Sequence, residues 1–199
     1  RVCECCGTSA IKTASGALVA YRDRSEANVR DISVVRWHNG HWSPPYTLYQ
    51  DGWEIYGCPV NGPALAADGE RVAAAWFTAA QDSARVQVIL SDDEGVTFSS
   101  PVRVDDGNPI GRVDLVMLED GSSLVSWMEN SDDDALLRIR RVHQDGQLDR
   151  AVTIATLSAA RASGFPRMVR NRDTFLFAWT HVDEDGNSIR TAKASLSIR

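Results

Sequence analysis

Four times along the chain an apolar run closes on an aromatic residue: Leu18-Val19-Ala20-Tyr21, Ala73-Ala74-Ala75-Trp76, Val125-Ser126-Trp127 and Phe177-Ala178-Trp179. The aromatic residues stand 55, 51 and 52 residues apart. Each run follows a turn-forming group (Ser15-Gly16, Asp68-Gly69, Asp120-Gly121 and Asn171-Arg172-Asp173) and precedes a polar loop and a second apolar strand. Those strands are Ile32-Ser33-Val34-Val35, Val86-Gln87-Val88-Ile89, Leu137-Arg138-Ile139-Arg140 and Ile189-Arg190-Thr191-Ala192, each with a further turn and strand behind it. Helical periodicity is absent. A period of about fifty residues holding four short strands is the sequence mark of a β-propeller. The pattern therefore predicts an all-β chain of about four four-stranded antiparallel blades, over residues 7–53, 59–108, 111–160 and 164–199. Residues 1–199 form one propeller domain or a piece of one. The last unit lacks most of its outer strand, and an exposed sheet edge invites pairing. Closure of the ring by the N-terminal segment, by further blades or by a second copy of the chain is expected.

Composition narrows the function classes. Of 199 residues, 43% are hydrophobic and 24% charged, which is ordinary for a folded globular chain, and no apolar run is long enough to span a membrane. The formal net charge of -6 argues against nucleic-acid binding, which needs a basic face. Nineteen of the 21 basic residues are Arg, the side chain that grips a carboxylate with two prongs, although a compositional bias of the source genome gives the same count. His38, His41, His143 and His181 are scattered, and no His-Glu-x-x-His, Gly-x-Ser-x-Gly or phosphate-binding glycine loop occurs. The chain opens at Arg1 without Met, so a processed product or a fragment is expected, and no signal peptide can be read.

The most specific segment is Ser91-Asp92-Asp93-Glu94-Gly95-Val96-Thr97-Phe98. Asp93 can accept amides across a tight turn, Gly95 can take positive φ, and Phe98 can bury itself beneath the turn. The segment resembles the Asp-box, or BNR repeat, of sialidase-like propellers. Arg36-Trp37-His38-Asn39-Gly40-His41-Trp42 and His143-Gln144-Asp145-Gly146-Gln147-Leu148 are worn copies. In that family the box lies between the third and outer strands, on the face opposite the ligand opening. The resemblance therefore makes Ser91, Asp93, Gly95, Thr97 and Phe98 structural, and Asp93 is not a catalytic candidate.

Because strands alternate in direction, the ligand face collects the blade-to-blade loops (Tyr49 to Pro63, Val104 to Asp114, Ser158 to Arg167, with Arg1 to Ala10 leading into the first blade). It also collects the second-to-third-strand loops, Arg22 to Asp31, Thr78 to Arg85, Met128 to Asp134 and His181 to Asn187. Cys3, Cys5 and Cys6 fall on the lead-in to the first blade and Cys58 on the lead-in to the second, so all four cysteines are expected to meet. Three readings stay open: disulfide staples that favour a secreted or periplasmic protein, a zinc or copper(I) site, or free thiols. The run Cys3-Glu4-Cys5-Cys6 does not read as one of the familiar Cys-x-x-Cys zinc pairs. With Tyr21-Arg22-Asp23, Arg30-Asp31-Ile32 and Gly57-Cys58-Pro59 it is similar to a recurring pattern of bacterial sialidase-like proteins.

The resemblance implies recognition, and in its enzymatic form hydrolysis, of an anionic glycan. Sialidases hold the sugar carboxylate with three arginines and use a Tyr/Glu nucleophile pair with an Asp acid/base. Arg22, Arg30, Arg112 and Arg167 are the candidate carboxylate ligands, and Phe165-Pro166-Arg167 loosely matches a family element in scrambled order. Asp31, Glu54 and Tyr56 are the candidate catalytic groups, and Trp53 is a candidate sugar-stacking platform. Arg112 and Arg167 have a competing role tying neighbouring blades, with Asp114, Asp106 or Glu119 as partners, Arg30 with Asp31 one bracing its own loop, and Trp53 one in the core. A non-catalytic binding scaffold is the alternative function.

Overall fold

The computed structural model describes residues 1–132, 134–183 and 186–195. The end of the fourth predicted unit and parts of two predicted loops, at residues 133, 184–185 and 196–199, lie outside the described residues. Among the described residues, sixteen strands form four antiparallel sheets. The first holds β1 (Ser9–Lys12), β2 (Ala17–Arg22), β3 (Ile32–His38) and an outer edge split into β4 (His41–Trp42) and β5 (Tyr46–Tyr49). The second holds β6 (Ala64–Asp68), β7 (Arg71–Thr78), β8 (Arg85–Ser91) and β9 (Val102–Arg103). The third holds β10 (Pro109–Met117), β11 (Ser123–Ser131), β12 (Asp134–Val142) and β13 (Val152–Leu157). The fourth has three strands among the described residues, β14 (Arg167–Asn171), β15 (Thr174–Asp183) and β16 (Gly186–Ser195). Each sheet is one blade of a β-propeller. All four aromatic-terminated runs lie in the second strand of their sheet, and all four following apolar runs in the third.

Cores lie between successive blades. Leu18, Ile32 and Val34 of the first blade meet Trp76 and Ile89 of the second. Ala75 and Val88 meet Leu115, Val125 and Trp127. Leu124, Met128 and Leu137 meet Phe175, Phe177 and Trp179. The period of two along a strand explains the sequence of β7: Ala74 and Trp76 face the first blade, while Ala73, Ala75 and Phe77 face the third. A strand covered on both faces reads as continuously apolar, and its alanines let two neighbours approach closely. Blade four has one covered face, so Val169, Leu176 and Ile189 on its other face are exposed. The inner strands pack in the order β1, β6, β10, β14, with no extensive contact between β1 and β14 among the described residues.

Three boundaries differ from the sequence reading. β11 and β12 run into the expected Met128–Asp134 loop, and β15 and β16 run through the described residues of the expected His181–Asn187 loop. β10 begins at Pro109, inside the expected Val104–Asp114 loop, with the register shifting on either side of Gly111. Gly111 and Arg112 both have positive φ there, and a Cβ at Gly111 would stand 2.8 Å from Phe77 side-chain atoms, so the bulge needs glycine.

The Ser91–Phe98 turn joins β8 to β9 on the side opposite the mouth. Asp93 Oδ1 accepts the Thr97 amide at 2.8 Å and the Ser91 hydroxyl at 2.7 Å, while Asp93 Oδ2 accepts the Thr97 hydroxyl at 2.7 Å. These bonds, led by the Thr97 amide, hold the Asp93 carboxyl at about 2. The turn also clasps the first blade: Glu94 accepts the Ser15 amide at 2.7 Å, Arg36 donates to the Glu94 carbonyl at 3.2 Å, and the Tyr46 hydroxyl donates to the Gly95 carbonyl.

Candidate functional site

Residues of β1, β6, β10 and β14 line a cleft of about 470 Å³ whose walls include Cys5, Thr8, Ser9, Asp114, Phe165 and Arg167. Asp114 is buried, which raises its carboxyl above the usual carboxylate range against the opposing effect of the Met168 amide and Arg167. Its Oδ2 accepts the Met168 amide at 2.8 Å and stands 3.4 Å from Arg167 Nε. Asp114 thus ties β10 to β14, while the Arg167 side chain remains 72% exposed. Phe165 is exposed beside it. The cleft offers an apolar face, a cation and a buried carboxyl.

The other three predicted arginines sit differently. Arg22, 1% exposed, donates from Nε to the Asn61 carbonyl at 2.6 Å, from Nη2 to the Phe77 carbonyl at 2.6 Å and from Nη1 to the Arg30 carbonyl. Burial lowers its pKa to about 10, so it stays charged at neutral pH. Its guanidinium lies over the Trp53 ring, 4.9 Å from the centroid. Arg112 is half-buried and donates to the Ser163 hydroxyl at 2.6 Å and to the Gly164 and Ala160 carbonyls at 2.9 and 3.1 Å. Arg30 is buried against the cysteines, its Nη1 3.0 Å from Cys3 Sγ and its Nε without a partner. Among the predicted arginines, Arg167 alone presents an open guanidinium to the cleft.

Trp53 is 6% exposed and packs edge-on against Phe77 at 5.5 Å, in the core rather than at the surface. Its backbone explains this: the Trp53 carbonyl accepts the Arg30 amide at 2.8 Å, and its amide donates to Asp31 Oδ1 at 3.1 Å. Asp31 is buried and accepts the Gly52 amide as well, so it fixes the loop that carries Glu54 and Tyr56. Glu54 pairs with Val29 in a short bridge, and Tyr56 is 79% exposed. The neighbouring Glu54 raises the Tyr56 pKa.

The four cysteines meet. Cys5 and Cys58 form a disulfide that ties the first-blade lead-in to the Tyr56 loop. Cys3 and Cys6 are free thiols, with Sγ atoms 3.1 Å apart, and Cys3 Sγ is 3.6 Å from Cys5 Sγ. Burial works to raise the Cys3 thiol but is outweighed by hydrogen bonds from Cys6, the Cys5 backbone and Arg30, so Cys3 falls below its ordinary value. Burial and the bond to Cys3 push Cys6 up to about 12. The Cys3, Cys5 and Cys6 sulfurs all lie within 4.8 Å of one another, the donor set among the described residues with metal-site spacing.

Two important residues were missed by the sequence reading. Asn61 accepts the Arg112 amide at 2.6 Å, donates to the Ile110 carbonyl at 3.0 Å and offers its own carbonyl to Arg22, linking three blades. Asp51 accepts the Trp76 indole at 2.6 Å and Gln87 at 2.8 Å. Their shared signal was a polar residue in the loop between β5 and β6.

No family model matches the sequence, and no curated protein matches it. Solved structures do. The Hadza microbial sialidase Hz136 is similar at 17% identity over 92% of this chain and 43% of its own, with a TM-score of 0.62. A GH43_12 enzyme retrieved from a capybara gut metagenome has 9% identity over 97% of this chain and 40% of its own, with a TM-score of 0.61. A thermostable family-43 glycoside hydrolase has 13% identity over 94% and 67%, with a TM-score of 0.57. At these identities the likeness is one of fold. The chain spans less than half the length of the first two.

Proposed function

We propose that this chain is part of a carbohydrate-active, sialidase-like Asp-box propeller whose mouth recognises an anionic glycan. The observation that carries the reading is the cleft itself, with exposed Arg167 and Phe165 above buried Asp114 at the convergence of four inner strands. Arg167 suits a sugar carboxylate and Phe165 the apolar face of a pyranose. The turn held by Asp93 supports the Asp-box assignment, and the glycoside hydrolase neighbours support a carbohydrate ligand. The hydrolytic form assigns Tyr56 as nucleophile with Glu54 as its base, on a loop fastened to the cleft wall by Cys5–Cys58, with Asp31 positioning that loop. A secreted or periplasmic location belongs to the same proposal, since the disulfide is compatible with such a compartment and no described helix is long and apolar enough to cross a membrane.

The test pairs a panel of fluorogenic glycosides, sialosides included, with calorimetric binding of the free acidic sugars. Binding of acidic over neutral sugars that Arg167→Ala abolishes supports recognition. Turnover lost in Tyr56→Phe and Glu54→Gln with binding retained supports hydrolysis. Equal affinity of wild type and Arg167→Ala for every sugar sinks the anionic-glycan reading. The non-catalytic scaffold is favoured by one observation: Arg22, Arg30 and Arg112 are committed to the protein itself, leaving Arg167 short of a three-arginine clamp. Binding without turnover selects it. The exposed Val169, Leu176 and Ile189 support closure of the ring by further blades or a second copy, which light scattering distinguishes as monomer or dimer.

A further inference from the structure

Cys3 and Cys6 stand three positions apart, so they are a Cys-x-x-Cys pair, hidden in the sequence because Cys5 occupies one of the intervening places and is bonded elsewhere. Their surroundings are unusual for structural thiols. Two buried arginines face them, and among the described residues neither Arg22 nor Arg30 lies within ion-pair distance of a carboxylate. Arg30 donates Nη1 to Cys3 Sγ at 3.0 Å and keeps a buried Nε with no partner, which costs free energy unless an anion is near. A buried guanidinium favours thiolate sulfur beside it, although the Asp51 and Asp31 carboxylates also act on Arg22.

We propose that Cys3 and Cys6 form a two-thiolate site for a soft monovalent metal cation of the copper(I) class, with the Cys5–Cys58 disulfide left intact. The donor set chooses the metal. A zinc-like dication takes four ligands, and the cluster offers two thiols, a disulfide sulfur and no His, Asp or Glu. Soft thiolates bind copper(I) with few ligands. Two thiolates and one monovalent cation carry one net negative charge, which the guanidiniums of Arg22 and Arg30 offset. Cys3 and Cys6 share a hydrogen bond at 3.1 Å, and each of the two thiols that is protonated gives its proton to solvent as the metal binds. No electron is transferred. The site is independent of the sugar-binding cleft in its chemistry and needs no glycan.

The test uses the chain as purified, under nitrogen, with its free thiols counted first. Copper(I) is supplied as its acetonitrile complex and competed with bicinchoninate, and stoichiometry is read by native mass spectrometry. One copper(I) per chain is expected, with Cys3→Ser and Cys6→Ser abolishing it. The double variant Cys5→Ser/Cys58→Ser should retain it, which separates the pair from the staple should either single variant fold poorly. Arg30→Met, which leaves both sulfurs, should weaken binding by about 10- to 100-fold. Cobalt(II) added alone should give no thiolate charge-transfer band. Three results overturn the proposal: no copper(I) withdrawn from bicinchoninate, undiminished binding in the Cys3→Ser/Cys6→Ser double variant, or no free thiols in the purified chain because Cys3 and Cys6 are bonded to each other.

Discussion

Arg22→Met removes a guanidinium and keeps an apolar stem of similar length. The three carbonyls that accept from Arg22, on Asn61, Arg30 and Phe77, are left in a site too buried for water. Each orphaned acceptor costs about 1–3 kcal/mol, or about 3–9 kcal/mol in all. Against this, the variant no longer strips a guanidinium of water, which recovers several kcal/mol. The lost contact with Trp53 adds about 1–2 kcal/mol to the cost. The net expectation is about 2–4 kcal/mol of destabilisation. With an m-value of about 2 kcal/mol per molar in urea, the unfolding midpoint falls by about 1–2 M. The assay is urea unfolding followed by tryptophan fluorescence, with Arg22→Lys as a second variant that keeps the charge but cannot reach three carbonyls. An unchanged midpoint in Arg22→Met, with folding otherwise intact, would refute the bracing role and return Arg22 to the pool of ligand-binding candidates.

Other outcomes follow from the same geometry. Asp93→Ala should cost about 1 kcal/mol at neutral pH, the bonds being largely exposed. Because the folded Asp93 sits at about 2, below its ordinary value of 3.8, its contribution is present above about pH 4 and is lost as pH falls toward 2. Melting curves of wild type and variant should therefore converge over that range, and a gap that stays constant contradicts the assignment. Reducing Cys5–Cys58, whose partners are 53 residues apart, should lower stability by up to about 4 kcal/mol in the chain-entropy account, read as a drop in urea midpoint that Cys58→Ser reproduces. Leu18→Ala, at a fully buried position under the Ser91–Phe98 turn, should cost about 2–5 kcal/mol by calorimetry, and a loss below 1 kcal/mol would mean that the first two blades do not share a core.

The repeat was legible because a propeller blade forces it. Tyr21, Trp76, Trp127 and Trp179 lie in the second strand of each blade, and the turn residues ahead of them are those that tight reversals need. The bulge at Gly111-Arg112 was not legible, since nothing local distinguishes a glycine that avoids Phe77 from one in an ordinary loop. For the mouth, the sequence could not tell which way the side chains of Arg22, Arg30, Arg112 and Arg167 turned. Arg22 belongs to the buried alternation of β2, the same phase as Leu18 and Ala20, and that phase was available to read. Trp53 turned inward because Asp31 and Arg30 hold its backbone, a long-range constraint with no local trace. The Cys3–Cys6 pairing was obscured by treating the run as one motif.

Among the described residues the inner strands pack in sequence, β1 on β6, β6 on β10 and β10 on β14, so each blade rests chiefly on its neighbours. In such an array cooperativity decays along the row and local opening begins at an end. β7, covered on both faces, should exchange its amide hydrogens last, and β16, with one face and one edge open, should exchange first. A ligand seated where all four inner strands converge would bind every member of the row at once, so its arrival should flatten that gradient and make four sequential unfolding units melt as one.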